Sequence, residues 1–127
     1  MIAIDTSSFI AYLTGANGPD VDATGVALEH KQAALPPVVL SELLSDPKLS
    51  RSITGLFRQL PLLEVMDGYW ERAGLLRAAI IRTGRRAPLA DSLIAQSCMD
   101  HQVALITRDA DFRYFVRSAG LRLVPNG

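Results

Sequence analysis

Acidic side chains stand inside or directly after apolar segments of this chain, where an unpaired charge is costly. They are Asp5, Glu42, Asp91, Asp109 and Asp111. A carboxylate in such surroundings is stable when it is hydrogen-bonded, paired or bound to a cation. If these acids converge in the fold, they repel one another, and a divalent cation becomes their natural partner. Because Mg²⁺ and Mn²⁺ prefer oxygen ligands, the residue types predict a carboxylate site for one of these metals.

The acids occur in four short segments, and the order of these segments is more informative than any one of them. In chain order they are DTSSFI, LSELL, ADSLIA and TRDADF. An Asp after a strand, or in the first turn of a helix, can simply cap the helix or interact favourably with the helix dipole. Four such segments in one chain favour a joint role over four separate capping roles.

The composition is that of a globular protein with a buried core. The chain has 127 residues, 49% of them hydrophobic and 20% charged, which predicts one domain over residues 1–127. Thirteen basic residues balance thirteen acidic ones, so a contact with nucleic acid must come from a local basic patch. The single cysteine, Cys98, excludes an internal disulfide and a multi-cysteine zinc site.

The first apolar stretch is not a targeting or membrane segment. No basic residues precede it, and the polar run DTSS interrupts it at once. We therefore expect a cytoplasmic protein without a membrane partner.

Short apolar segments alternate with amphipathic helices, which predicts an α/β fold: a central short parallel β-sheet flanked by α-helices. The hydroxyls of residues 6–8 are expected to cap the first helix. Sites in open parallel sheets lie beyond the carboxyl ends of the strands, where the strand order reverses. Asp5 and Asp109 therefore face one crevice if their strands are neighbours. The predicted strands cover residues 2–4, 33–35, 62–66, 104–107 and 121–124.

The ordered segments resemble the PIN-domain ribonucleases, and the compact chain most resembles the VapC-like toxins of type II toxin–antitoxin pairs. The resemblance covers essentially the whole chain. It implies a PIN-like domain with a catalytic, metal-binding quartet, an auxiliary acid and three supporting polar residues. The quartet is Asp5, Glu42, Asp91 and Asp109, the auxiliary acid is Asp111, and the supporting residues are Thr6, Ser8 and Thr107.

This resemblance implies an Mg²⁺- or Mn²⁺-dependent endoribonuclease that hydrolyses RNA phosphodiesters with a metal-activated water. It also implies a cognate antitoxin and a homodimer. One alternative is a PIN-type nuclease of RNA processing without an antitoxin. A metal-dependent phosphatase is a weaker alternative, because the haloacid dehalogenase type needs a second Asp where Ser7 stands.

Basic residues flank two of the acidic segments. Arg85 and Arg86 precede Asp91 and are candidate RNA contacts, although a solvated turn is the simpler interpretation. Arg108 and Arg113 flank the last acidic pair and either contact RNA or neutralise those acids. The sequence does not choose between these roles.

Other residues receive structural roles. Asp20 and Asp100 are expected to be solvated, and Tyr69 and Trp70 to pack in the core or in an interface. An apolar stretch is a candidate groove for an antitoxin segment, although part of it must form core. Its residues are Leu43, Leu44, Leu49, Ile53, Leu56 and Phe57.

Overall fold

The computed structural model describes residues 1–124 of the chain. In this range, four short parallel strands form one sheet that is flanked by α-helices, which confirms the predicted α/β class. In chain order the elements are β1 (Ile2–Ile4), α1 (Thr6–Leu13), α2 (Pro19–Glu29), β2 (Ala33–Ala34), α3 (Pro37–Leu44), α4 (Arg51–Gln59), α5 (Tyr69–Arg82), α6 (Leu89–Asp100), β3 (Leu105–Ile106), a 3-10 helix (Ala110–Phe112), α7 (Arg113–Ala119) and β4 (Leu123–Val124).

The strands lie in the order β2-β1-β3-β4, and every pair is parallel. The chain therefore places β2 on one side of β1 and, later in the sequence, β3 on the other side of β1. Ile4 pairs with Ile106, and the backbone N–H of Asp5 donates to the Ile106 carbonyl at 2.9 Å. The strands before Asp5 and Asp109 are thus neighbours at the reversal of strand order, as the sequence prediction required.

The predicted strand over residues 62–66 is wrong. This segment makes only one parallel bridge, between Leu62 and Leu35, and two backbone hydrogen bonds fix its position. Leu63 is buried, whereas Leu62, Val65 and Met66 are exposed. An apolar run predicts a strand only if neighbouring backbone continues to pair with it, and here the pairing ends after one step. Residues 125–127 of the predicted domain lie outside the described residues.

The core contains the apolar strands and the inner faces of the helices. Phe9 of α1 and Phe57 of α4 are buried in an edge-to-face contact, with their ring centroids 5.3 Å apart. Tyr69 is buried and donates its hydroxyl to the Leu93 carbonyl at 2.6 Å. Trp70 is 65% exposed and does not pack in the core, so only its predicted packing in an interface stays a prediction. Among residues 1–124, no helix combines the length and apolarity needed to cross a bilayer.

Replacing Phe57 by Ala should lower the free energy of unfolding by about 3–5 kcal/mol, because it leaves a cavity beside Phe9. The matched control is Leu75→Ala on α5, where the leucine is 68% exposed and truncation should cost less than about 0.5 kcal/mol. Urea unfolding followed by circular dichroism measures both. Similar losses in the two variants would contradict the core assignment.

Candidate functional site

Asp5 lies at the carboxyl end of β1, is only 5% exposed, and is held by two hydroxyls. Ser7 Oγ donates to Asp5 Oδ2 at 2.6 Å, and Thr107 Oγ1 donates to the same oxygen at 2.8 Å. Burial raises the pKa of Asp5 above its usual value, and these two hydrogen bonds oppose the rise. The carboxylate is therefore fixed in orientation by residues from two neighbouring strand ends.

The turn after β3 joins the last acidic segment to Asp5 through Thr107. Thr107 Oγ1 also accepts a hydrogen bond from the Asp109 N–H at 3.0 Å. Asp109 Oδ1 accepts from the Asp111 N–H at 2.9 Å and caps the following 3-10 helix. Asp109 thus has a capping role that coexists with a position beside Asp5. Thr107 thus contacts two of the predicted site acids, and its supporting role stays a prediction.

Asp91 stands in the first turn of α6, and its environment raises its pKa. Burial first, and then repulsion from four other carboxylates, raise the pKa of Asp91 to about 7. In decreasing order of effect these carboxylates are Asp109, Asp5, Glu42 and Asp111. The structure therefore brings all five predicted acids into one electrostatic cluster.

Glu42 belongs to this cluster but is not desolvated as its apolar neighbours suggested. Val39 and Leu43 of α3 point into the core, whereas Glu42 is exposed. Thr6 Oγ1 donates to Glu42 Oε1 at 2.7 Å, so Thr6 contacts one of the predicted site acids. Residues 6–8 make no side-chain cap of α1, whose N-cap is Asp5. Their hydroxyls bind acids instead.

The donor chemistry of the cluster fits a hard divalent cation, because every acidic side chain in it offers carboxylate oxygens. Within residues 1–124, however, no three His, Cys, Asp or Glu side chains are close enough together to form a ready coordination group. In this arrangement Asp5 accepts hydrogen bonds from Ser7 and Thr107, and Glu42 accepts one from Thr6.

A second polar network beside the site was not predicted from the sequence. Arg108 Nε donates to Asp20 Oδ2 at 2.8 Å, and Arg108 Nη2 donates to the Asn17 carbonyl at 3.0 Å. Ser8 is buried and donates to Asp20 at 2.9 Å, not to a site acid. Gly18, at φ +146°, makes room for this network, because a Cβ there would lie 2.7 Å from Asp20 Oδ1. The hydrogen bond from Arg108 lowers the pKa of Asp20.

Several sequence expectations are corrected by these contacts. Ser7, not Ser8, lies beside the first site acid. Arg108 pairs with Asp20 and makes no salt bridge with Asp109 or Asp111 within residues 1–124, so it does not neutralise the last acidic pair. Its contact with RNA stays a prediction. Asp20 could not be recognised as buried, because its partner lies far away in the sequence. The only local signal is that Asp20 opens a helix after a glycine and a proline.

Asp100 is also paired, not solvated. Arg72 donates to it from Nε at 3.1 Å and from Nη2 at 2.6 Å, and Gln96 adds a third hydrogen bond. Burial acts to raise the pKa of Asp100, but these hydrogen bonds lower it overall. This pair joins α5 to α6, the helix that carries Asp91.

The basic loop before α6 leaves both of its arginines exposed. Arg85 lies over the ring of Tyr114, with its guanidinium carbon 5.3 Å from the ring centroid. Arg113 lies over the same ring at 4.8 Å. The RNA contacts predicted for Arg85 and Arg86 stay predictions.

Together, the parallel sheet and the acids beyond its carboxyl edge define an α/β protein with an acidic site at the reversal of strand order. The PIN domain model matches residues 2–117, and the chain belongs to this family. PIN domains are nucleases, which supports a hydrolase activity. The fold is also similar to a chain in the crystal structure of VapBC2 from Rickettsia felis bound to a DNA fragment from their promoter. That match has a TM-score of 0.69 and 22% identity, and it covers 97% of each chain. No curated protein matches the sequence.

Replacing Asp20 by Ala should lower the free energy of unfolding by about 2–3 kcal/mol, because it removes the hydrogen bonds of Ser8 and Arg108. The control, Asp22→Ala, removes an exposed acid from the same helical turn and should change stability by less than about 0.5 kcal/mol. Chemical unfolding near neutral pH measures the difference. The Asp20 contribution should disappear as the pH falls through its lowered pKa. Equal effects of the two substitutions would rule out a structural role for this pair.

The raised pKa of Asp91 predicts how the stability of the metal-free protein depends on pH. The folded state holds this proton more tightly than the unfolded state, whose pKa is near 3.8. The stabilisation from Asp91 is therefore complete below that value and is lost as the pH rises through about 7. In EDTA, the Tm of the wild type should fall over this range more steeply than that of Asp91→Asn. Parallel curves would show that Asp91 is not protonated in the folded protein.

Proposed function

We propose that this protein is an Mg²⁺- or Mn²⁺-dependent endoribonuclease and the toxin of a type II toxin–antitoxin pair. The observation that carries the proposal is the cluster of five acids near the carboxyl ends of β1 and β3, where burial first and then repulsion from the other four acids raise the pKa of Asp91. Membership of the PIN family supports a nuclease, and hard oxygen donors support a divalent cation.

In this proposal, the quartet of acids holds the cation, with Asp111 as an auxiliary ligand. When bound, the cation would polarise the scissile phosphoryl group and lower the pKa of the attacking water. The protein's own contribution is to orient the ligands. Ser7 and Thr107 fix the Asp5 carboxylate, and Thr6 holds Glu42 beside it. Substitution of such supporting residues commonly costs about 10–100-fold in metal affinity or activity.

An antitoxin and a second copy of the chain are the partners in this proposal. The similarity of fold to a chain of the VapBC2 complex supports the antitoxin. In the apolar stretch considered for its docking, Leu43 and Phe57 belong to the core. The partly accessible residues of the stretch are Leu44, Leu49, Ile53 and Leu56. A small protein encoded beside this chain should suppress its RNA cleavage, and cleavage unaffected by saturating amounts of that protein would reject the pairing.

Asp5→Asn should reduce metal-dependent RNA cleavage about 100-fold or more, because it removes one charge from the ligand set and keeps its shape. Asp46→Asn, at an exposed acid after α3, is the matched control and should cleave like the wild type. Each protein is incubated with RNA and with a phosphate monoester, in Mg²⁺, Mn²⁺ or EDTA. Near-wild-type cleavage by Asp5→Asn would refute the site, and hydrolysis of the monoester alone would favour a phosphatase.

Binding of the cation can be tested without activity. Because a ligand stabilises only the state that binds it, Mg²⁺ or Mn²⁺ should raise the Tm of the wild type. The increase should be smaller in Asp91→Asn, which in metal-free buffer should be at least as stable as the wild type because one repelling charge is gone. Equal metal-induced increases in the two proteins would argue against a metal site in the cluster.

A further inference from the structure

Two arginines from distant parts of the chain share one aromatic ring, that of Tyr114. The guanidinium carbons lie 4.8 Å from the ring centroid for Arg113 and 5.3 Å for Arg85. Arg113 Nη2 also donates to the Tyr114 hydroxyl at 2.9 Å. Tyr114 itself is half-buried and packs against the hydrophobic core. The ring therefore holds both guanidinium groups at a fixed place on the surface.

This place adjoins the acidic cluster. Arg85 belongs to the loop that leads into α6, where Asp91 stands in the first turn. Arg113 begins α7, directly after the 3-10 helix that contains Asp111. The two segments that bring acids to the site thus also bring the arginines to the Tyr114 ring.

The two arginines at the ring have no carboxylate partner within residues 1–124. In the part of the chain that the structure describes, the ion pairs are those of Arg72 with Asp100 and of Arg108 with Asp20. Arg85 and Arg113 therefore share the ring with no carboxylate in salt-bridge contact, and the two like charges repel. A phosphate would remove this repulsion, and the planar fork of a guanidinium group matches its oxygens.

The basic surface continues beyond the ring into a cavity. Arg113 lines a cavity of about 620 Å³ between α7 and β4, together with Arg117 and Arg122. Arg122 Nη2 donates to the Gln102 carbonyl at 2.7 Å, which anchors that side chain at the cavity wall. Although the chain has no net charge, these arginines form a local basic track that starts beside the acids.

We propose that this track binds successive backbone phosphates of a single-stranded RNA, with Arg85 and Arg113 as the first contact and Arg117 and Arg122 as the next. Tyr114 is a positioning residue that acts through its two arginines. The proposal rests on the proposed nuclease function, and it assigns the side of the acidic site along which the substrate strand runs. Contacts of this kind give affinity with little preference for sequence.

The test is an RNA titration followed by fluorescence anisotropy. The probe is a labelled oligouridylate of about fifteen nucleotides, which remains single-stranded and contacts the whole track. The full chain carries Asp5→Asn to prevent cleavage, and Kd is measured over a series of salt concentrations. Arg113→Gln and Arg85→Gln should each raise Kd about tenfold at low salt and lower the slope of log K against log salt by about 0.7.

The matched control is Arg82→Gln, which removes an exposed arginine at the end of α5 and should leave the slope unchanged. Tyr114→Phe keeps the ring and should retain most of the affinity, whereas Tyr114→Leu should lose about as much as Arg113→Gln. In the cleaving protein, Tyr114→Leu should raise KM and leave kcat nearly unchanged. A fall in kcat at constant KM would overturn the positioning role.

Failure of this proposal can be distinguished from failure of the nuclease function. An unchanged salt slope in folded Arg113→Gln and Arg85→Gln overturns the phosphate track, whatever the cleavage assay shows. If the two variants lose binding to poly-glutamate but still bind the oligouridylate, the track is also overturned. The arginines would then be a binding site for an acidic protein segment. If the variants show a reduced slope of log K against log salt, but the wild type cleaves no RNA in Mg²⁺ or Mn²⁺, the track is supported and the nuclease function is rejected.

Discussion

The parallel pairing of β1 with β3 is the constraint on which the site depends. It places the carboxyl ends of two strands side by side, although they are far apart in the sequence. Asp5 leaves one strand end and Thr107 leaves the other, so a hydroxyl can meet a carboxylate at 2.8 Å. A shift of register by one residue would turn Thr107 to the opposite face of the sheet and break this contact. The position of Asp109, which Thr107 also holds, would change with it.

The clustered acids repel one another and thereby destabilise the folded protein. Hydrogen bonds from neighbouring residues offset only part of this repulsion. Hydroxyls satisfy Asp5 and Glu42, yet burial and repulsion still raise the pKa of Asp91 to about 7. The cation that we propose for this site would remove the repulsion, and the arrangement would then be useful although it is destabilising by itself. Functional sites commonly retain such local conflicts, because the groups are arranged for the bound state and not for the empty one.

Four arginines fall into two groups that differ in their contacts. Arg72 and Arg108 each pair with one acid, Asp100 and Asp20 respectively, and each pair links two segments that are distant in the sequence. Arg85 and Arg113 share an aromatic ring and carry no carboxylate contact of that kind in residues 1–124. A chain with equal numbers of basic and acidic residues can thus present a basic surface beside an acidic one, because the two kinds of charge lie at different places on the surface.

The sequence by itself determined the α/β class and indicated the five candidate acids, because apolar periodicity and embedded carboxylates are local signals. It did not determine that residues 62–66 fail to form a strand, since pairing depends on a neighbour supplied by another part of the chain. Nor could it distinguish Ser7 from Ser8, because both follow Asp5 closely and only the direction of each side chain separates them. Asp20 was misjudged for the same reason: its burial depends on Arg108, which only the tertiary structure brings into contact with it.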